Sequence, residues 1–170
     1  MKLYKSLILI GMMGSGKSTI GSLISKKLNL EFVDIDKNIE KNESMKIIQI
    51  FKNKGEKHFR EVEKNLTIKL LNKKNCVISL GGGAFINDEI RKKILNNHFS
   101  VWLNWSSSTI INRIKRNNKR PIANRLDNNE IENLIKYRSS KYSLANFKLE
   151  CENLTKYEIV TKVIKIYEGN

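Results

Sequence analysis

The chain has 170 residues, 40% hydrophobic and 29% charged, a balance that suits a single folded domain over residues 1–170 and excludes a disordered chain. Lys and Arg number 32 against 17 Asp and Glu, a formal net charge of +15. The basic residues are scattered, and no zinc-finger spacing, aromatic RNA-binding motif or recognition helix accompanies them, so no specific nucleic-acid partner is expected.

From the N-terminus, the apolar run Leu7-Ile8-Leu9-Ile10 is too short for a secretory signal and leads into a glycine motif, not a cleavage site. No later stretch approaches the ~20 apolar residues that span a bilayer, so a cytoplasmic monomer without a membrane partner is expected. Strand-like runs at 3–10, 31–34, 76–80, 99–104 and 147–151 alternate with helical patterns at 17–28, 46–53, 56–72, 88–95, 107–116, 129–144 and 157–167. This alternation predicts an α/β fold, a five-stranded parallel sheet with helices on both faces. Ligands in such sheets sit beyond the carboxyl ends of the strands, which makes the residues following each strand the informative ones. Cys76 and Cys151 have no metal or redox spacing and read as buried apolar thiols of a reducing compartment.

After the first strand comes Gly11-Met12-Met13-Gly14-Ser15-Gly16-Lys17-Ser18-Thr19, which matches G-x-x-x-x-G-K-[ST]. The glycines let successive backbone N–H groups turn inward around phosphates, and the following helix aims its positive end at the same charge. Lys17 is expected to reach the β- and γ-phosphates and the Ser18 hydroxyl to ligate Mg²⁺. The chain therefore reads as an ATP-using protein.

The second strand ends Asp34-Ile35-Asp36, two carboxylates expected to point the same way in an extended chain. One suits Mg²⁺ held through water and the other suits a proton acceptor; the competing reading is that Asp36 caps a short helix over 37–41. The third strand ends in Gly81-Gly82-Gly83, which reads as a floor of bare backbone against a ligand. Between these strands Arg60, steadied by Glu63 one turn later, suits a carboxylate, although on its own the pair is better explained by a solvated helix face. His58 and His98 read as surface residues. A polar, Asn-rich stretch at about 116–129 holds the only proline, Pro121, and reads as a mobile lid. On it, Arg120 precedes the proline and could swing onto the transferring phosphoryl group. Arg138 lies on the next predicted helix.

These landmarks in order, residues 11–19, Asp34-x-Asp36, Phe59-Arg60 with Glu63, Gly81-Gly82-Gly83, Arg120-Pro121 and Arg138 with Tyr142, resemble the shikimate kinase family over essentially the whole chain. The resemblance implies a single-domain P-loop kinase that transfers the ATP γ-phosphoryl group to the 3-hydroxyl of shikimate. It implies that Gly14, Ser15, Gly16, Lys17, Ser18 and Thr19 wrap the phosphates, with Arg113 and Arg120 also on the nucleotide. Ser18, and Asp34 through water, would hold Mg²⁺. Asp36 would hold shikimate hydroxyls as the candidate base, Arg60 and Arg138 would grip the carboxylate, and Gly81, Gly82 and Gly83 would floor the site. Lys17, Asp36 and Arg120 form the implied catalytic set, and Ile47 and Phe59 would line the pocket. The chain departs from the pattern at Ser44, where many members have glycine, in its Asn-rich lid, and in a 152–156 loop without proline. The alternatives are a gluconate or nucleoside monophosphate kinase, or a nucleic-acid-binding ATPase.

Overall fold

The computed structural model describes residues 5–116 and 126–169. Five strands, β1 (Leu7–Ile10), β2 (Glu31–Asp34), β3 (Cys76–Ser79), β4 (Phe99–Asn104) and β5 (Phe147–Glu150), form one sheet in the order β2-β3-β1-β4-β5. Every pairing is parallel. The helices are α1 (Lys17–Leu28), α2 (Ile35–Glu43), α3 (Ile47–Leu70), α4 (Asp88–Asn97), α5 (Ser107–Lys115), α6 (Asn128–Tyr142) and α7 (Lys156–Glu168).

The sheet is covered on both sides, and the period of two along each strand divides its side chains between two cores. Leu7, Leu9, Val77, Val101 and Leu149 pack against α1 and α7, with Ile20, Ile24, Ile159 and Val163. Ile8, Ile10, Ile78 and Trp102 face the opposite core, closed by Ile39, Ile50, Ile90, Ile110 and Ile131 of α2 to α6. This explains why Leu7 to Ile10 is apolar without alternation: both faces of β1 are buried. Cys76 and Cys151 are buried free thiols, and burial pushes the Cys151 thiol up to about 12.

Three boundaries differ from the sequence reading. The chain turns helical directly after β2: Asp34 Oδ1 accepts from the Lys37 amide at 3.1 Å, so Asp34, not Asp36, is the N-cap of α2. Asp36 sits in the first helical turn, and the two carboxylates do not share one face of an extended strand. The expected gap between two helices at residue 54–55 is a break inside α3, where Gly55 adopts φ 81° and ψ 172°. Third, α6 begins at Asn128, capped by Asp127, so the far end of the proposed lid is helical, while residues 117–125 lie outside the described residues.

α2 ends with Ser44 in the left-handed region, φ 50° and ψ 29°, its amide donating back to Glu40 and Lys41 carbonyls. A Cβ is strained there and glycine is not. Ser44→Gly is expected to raise unfolding free energy by about 0.5–1 kcal/mol, read by chemical denaturation. A fall would show that the Ser44 side chain contributes more than its backbone strain costs. Among the described residues no helix is long and apolar enough to cross a membrane.

Candidate active site

The loop between β1 and α1 is a phosphate cradle made by backbone. Gly14 (φ 80°) and Gly16 (φ 89°) take left-handed angles that turn neighbouring amides toward one another, and Gly16 starts α1. Lys17 is only 7% exposed; its ammonium donates to the carbonyls of Gly11 at 2.8 Å and Met12 at 2.9 Å, and to Ser15 Oγ at 3.4 Å. It is anchored across the loop it serves. Ser18 and Thr19 follow in the first turn of α1 on its exposed side.

The loop is gripped from β4 and α5. Trp105, just past the carboxyl end of β4, donates its indole N–H to the Ser15 carbonyl at 3.0 Å. Arg113 of α5 stacks on that indole at 3.7 Å and donates to the Gly14 carbonyl at 3.2 Å. The structure thus places Arg113 against the phosphate loop and adds Trp105, which sequence reasoning missed. The signal was its position directly after a strand end. Glu152 of the 152–156 loop accepts from the Ser106 amide and the Thr109 hydroxyl, which ties that loop to the start of α5.

Next to the cradle, the triple-glycine turn after β3 is a meeting point of charged groups. None of the three glycines has positive φ; what each needs is room. A Cβ at Gly81 would collide with Glu63 and lie 2.9 Å from Asp36 Oδ1, one at Gly83 would collide with the Arg60 guanidinium, and one at Gly82 would lie 3.3 Å from Arg138 Nη1 and from the Met13 amide. Asp36 of α2, Arg60 and Glu63 of α3 and Arg138 of α6 therefore converge on one turn beside the phosphate loop. Bare backbone here makes space for the protein's own side chains.

Arg60 donates to Glu63 at 2.7 Å and to Glu56 at 3.2 Å, and lies over the Phe59 ring. Burial works against charge on Arg60, but Glu63 and Glu56 outweigh it and raise its pKa. Burial likewise pushes the Glu63 carboxyl above its ordinary value; Arg60 opposes this and Asp36 adds to it. Arg138 is 6% exposed, and its guanidinium is turned to the Met12 sulfur at 4.0 Å. It makes no ion pair with a carboxylate among the described residues. Tyr142, one turn further along α6, donates to the Gly82 carbonyl and contacts the same sulfur, and burial raises its pKa to about 12. Phe59 is buried against Phe51 at 4.6 Å, so it supports the pocket from the core side.

Two histidine expectations resolve differently. His58 is partly exposed and pairs with Glu43 at 2.9 Å. His98 is buried, contrary to expectation, because it ends α4 directly ahead of β4 at the inner edge of the sheet. Arg120 and Pro121 lie outside the described residues.

A phosphate loop on the central strand of a parallel sheet in the order β2-β3-β1-β4-β5 defines a P-loop kinase. The family model for shikimate kinase matches residues 13–168, and the chain belongs to that family. A shikimate kinase of Persephonella marina is 38% identical over 160 residues, covering 94% of this chain and 97% of the relative. The structure of shikimate kinase from Acinetobacter baumannii in complex with shikimate superposes with a TM-score of 0.91 at 27% identity, covering 98% of this chain and 94% of the other. Deoxyadenosine kinase from M. mycoides, with dCMP and dCDP bound, shares the fold alone, at 18% identity and a TM-score of 0.66 over 96% of this chain and 98% of the other.

Proposed function

We propose that the chain carries out its family's reaction, transfer of the ATP γ-phosphoryl group to the 3-hydroxyl of shikimate, with the side chains around the triple-glycine turn holding the acceptor. The carrying observation is Arg138: a guanidinium 6% exposed, beside Gly82 and the phosphate loop, against the Met12 sulfur and Tyr142, with no carboxylate in ion-pair distance among the described residues. A buried cation without a counter-charge is costly, and an anionic ligand removes the cost. The shikimate carboxylate is such an anion, and Arg60 shares it from the other side of the turn. A relative of the same family and fold has been solved with shikimate bound.

In this reading the amides of Gly14, Ser15, Gly16, Lys17, Ser18 and Thr19 hold the ATP phosphates, and Arg113 orders that loop while Arg120 contacts them. Asp36 accepts the proton of the attacking hydroxyl. A new bond forms from that oxygen to the γ-phosphorus, the bond to the ADP bridging oxygen breaks, and ADP leaves with the electron pair. The Gly82 amide N–H, and the backbone of Gly81 and Gly83, face the acceptor; the Gly82 carbonyl already serves Tyr142. Mg²⁺ fits the oxygen donors here. Asp34 is buried, gives one oxygen to the α2 cap and keeps the other for a metal-bound water, and Ser18 supplies a hydroxyl. When bound, the ion would neutralise charge on the β- and γ-phosphates.

A coupled assay of ADP release with shikimate, gluconate and nucleoside monophosphates tests the assignment. Activity with shikimate is expected, and activity confined to another acceptor would overturn it. Gluconate and nucleotide acceptors are not favoured, because neither calls for two guanidiniums and a carboxylate around one small ring. Lys17→Ala should lower kcat at least about tenfold, roughly 1.4 kcal/mol of barrier, read in the same assay. Unchanged turnover would remove Lys17 from the transition state. The protein acts as a cytoplasmic monomer in this reading, which the two buried free thiols support and gel filtration with light scattering would check.

A further inference from the structure

The kinase site uses the carboxyl edge of the sheet, and the opposite edge holds a second concavity. A cavity of about 370 Å³ opens where β1, β3 and β4 begin. Lys5 and Ser6 line it ahead of β1, Lys73 and Lys74 ahead of β3, Lys93 from α4, and His98 ahead of β4. No carboxylate lines it.

The lysines alone would describe a solvated basic face, which a chain of +15 must have somewhere. His98 does not fit that description. It is 5% exposed, and no hydrogen bond of good geometry satisfies either ring nitrogen, the Leu71 backbone offering only a weak contact. Buried polar groups are seldom left so, because an unmade hydrogen bond costs the group its hydration. The cations around it are only partly met by counter-charge. Lys73 reaches out to Glu31, and Lys93 is held by the Asn72 side chain at 2.7 Å and the Ile68 carbonyl at 3.3 Å. Lys5 and Lys74 have no acidic partner among the described residues.

We propose that this cavity is an anion site distinct from the phosphate loop, taking a small dianion of phosphate chemistry, either inorganic phosphate or a phosphate monoester. Lysine ammoniums are compact point charges suited to phosphate oxygens, and the buried imidazole supplies a directed donor that a loose lysine cluster lacks. At about 370 Å³ the cavity has room for a small ligand. The groups facing His98 are Lys5 from the β1 end, Lys73 with Glu31 attached and Lys74 from the loop after α3, and Lys93 from α4. Burial lowers the His98 pKa, Lys93 and Lys5 lower it further, and the Leu71 backbone opposes them. An anion in the cavity reverses this field, so it should bind together with a proton on the ring.

The chain has two histidines, so proton NMR of the intact protein reports on the site directly, with His58→Gln to assign the ring signals. Mg²⁺ and excess ADP are present to fill the phosphate loop, and NaCl holds ionic strength constant. Titration with inorganic phosphate is expected to move the His98 ring signal saturably toward its protonated position. The midpoint should weaken at least about fivefold in Lys5→Gln/Lys74→Gln, which removes two exposed charges without touching the core. Glycerol phosphate in a parallel titration distinguishes the sources: a tighter midpoint than phosphate indicates a monoester ligand, and an equal or weaker one indicates the free ion. A His98 signal that follows NaCl alone, or a midpoint unchanged in the double variant, would overturn the site. So would a short single-stranded oligonucleotide that binds there more tightly than either small ion.

Discussion

Arg138→Met is expected to raise the shikimate KM at least about thirtyfold, near 2 kcal/mol, while the folded protein becomes no less stable. The two halves of that result come from one fact. Arg138 is buried with Met12 as its neighbour and has no carboxylate within ion-pair distance among the described residues. Without substrate the guanidinium's desolvation cost is met only in part, by Tyr142 and the field of Glu63, and a methionine of similar length fills the space without it. With substrate the guanidinium gains its only full counter-charge, and the variant loses that gain. A purely structural arginine would behave in the opposite way, with lost stability and an unmoved KM. Denaturation and initial-rate measurements on the same preparation separate the two. A stable variant with an unchanged shikimate KM would sink the carboxylate role.

What could be read from the chain and what could not divides along the range of the interactions. The phosphate loop is written locally: a strand, a glycine-rich turn and a helix start lie within residues 7–20, and each residue acts on its neighbours. The alternation of apolar runs gave the parallel sheet for the same reason, and the all-apolar β1 already implied two covered faces. The end of β2 was misread because Asp34 serves two elements at once, as the last strand residue and as the cap of α2. A period-two reading continued two residues too far and aligned Asp36 with it. The partners of Trp105 and Tyr142 were beyond local reading, since their hydrogen bonds join residues 90 and 60 positions apart. Burial of Arg138 and His98 is likewise a tertiary fact. A polar residue at a helix end looks exposed until the sheet edge it packs against is known.

The triple-glycine turn shows how such long-range contacts become specificity. Gly81 abuts Glu63 and Asp36, Gly82 abuts Arg138, and Gly83 abuts Arg60. Three charged elements, α2, α3 and α6, thus approach a single strand end closely enough that no side chain fits between them. In the proposed reading the acceptor sits where the turn omits side chains, and the same omission would keep it close to the phosphate loop. Proximity of this kind supplies much of the barrier reduction in phosphoryl transfer, where the protein forms no covalent bond to the group in transit.

Asp36→Asn should then isolate the chemical contribution from the positional one. The side chain lies in the first turn of α2, with Oδ1 against the Gly81 position and Glu63 beyond it. Asparagine keeps the size and one oxygen acceptor but accepts no proton at catalytic pH. A positioned general base contributes on the order of 10²–10⁴ in rate, so kcat is expected to fall at least about a hundredfold, roughly 2.7 kcal/mol of barrier. The ATP KM should move little, because the contacts that support the phosphate loop run to Trp105 and Arg113. The shikimate KM should move by less than kcat, since asparagine can still hydrogen-bond a ring hydroxyl. Were the shikimate KM alone to rise, with kcat preserved, Asp36 would be a hydroxyl clamp, and the proton would have to leave through water or the phosphoryl oxygens. The ratio of the two effects, rather than the size of either, is therefore what assigns the proton to Asp36.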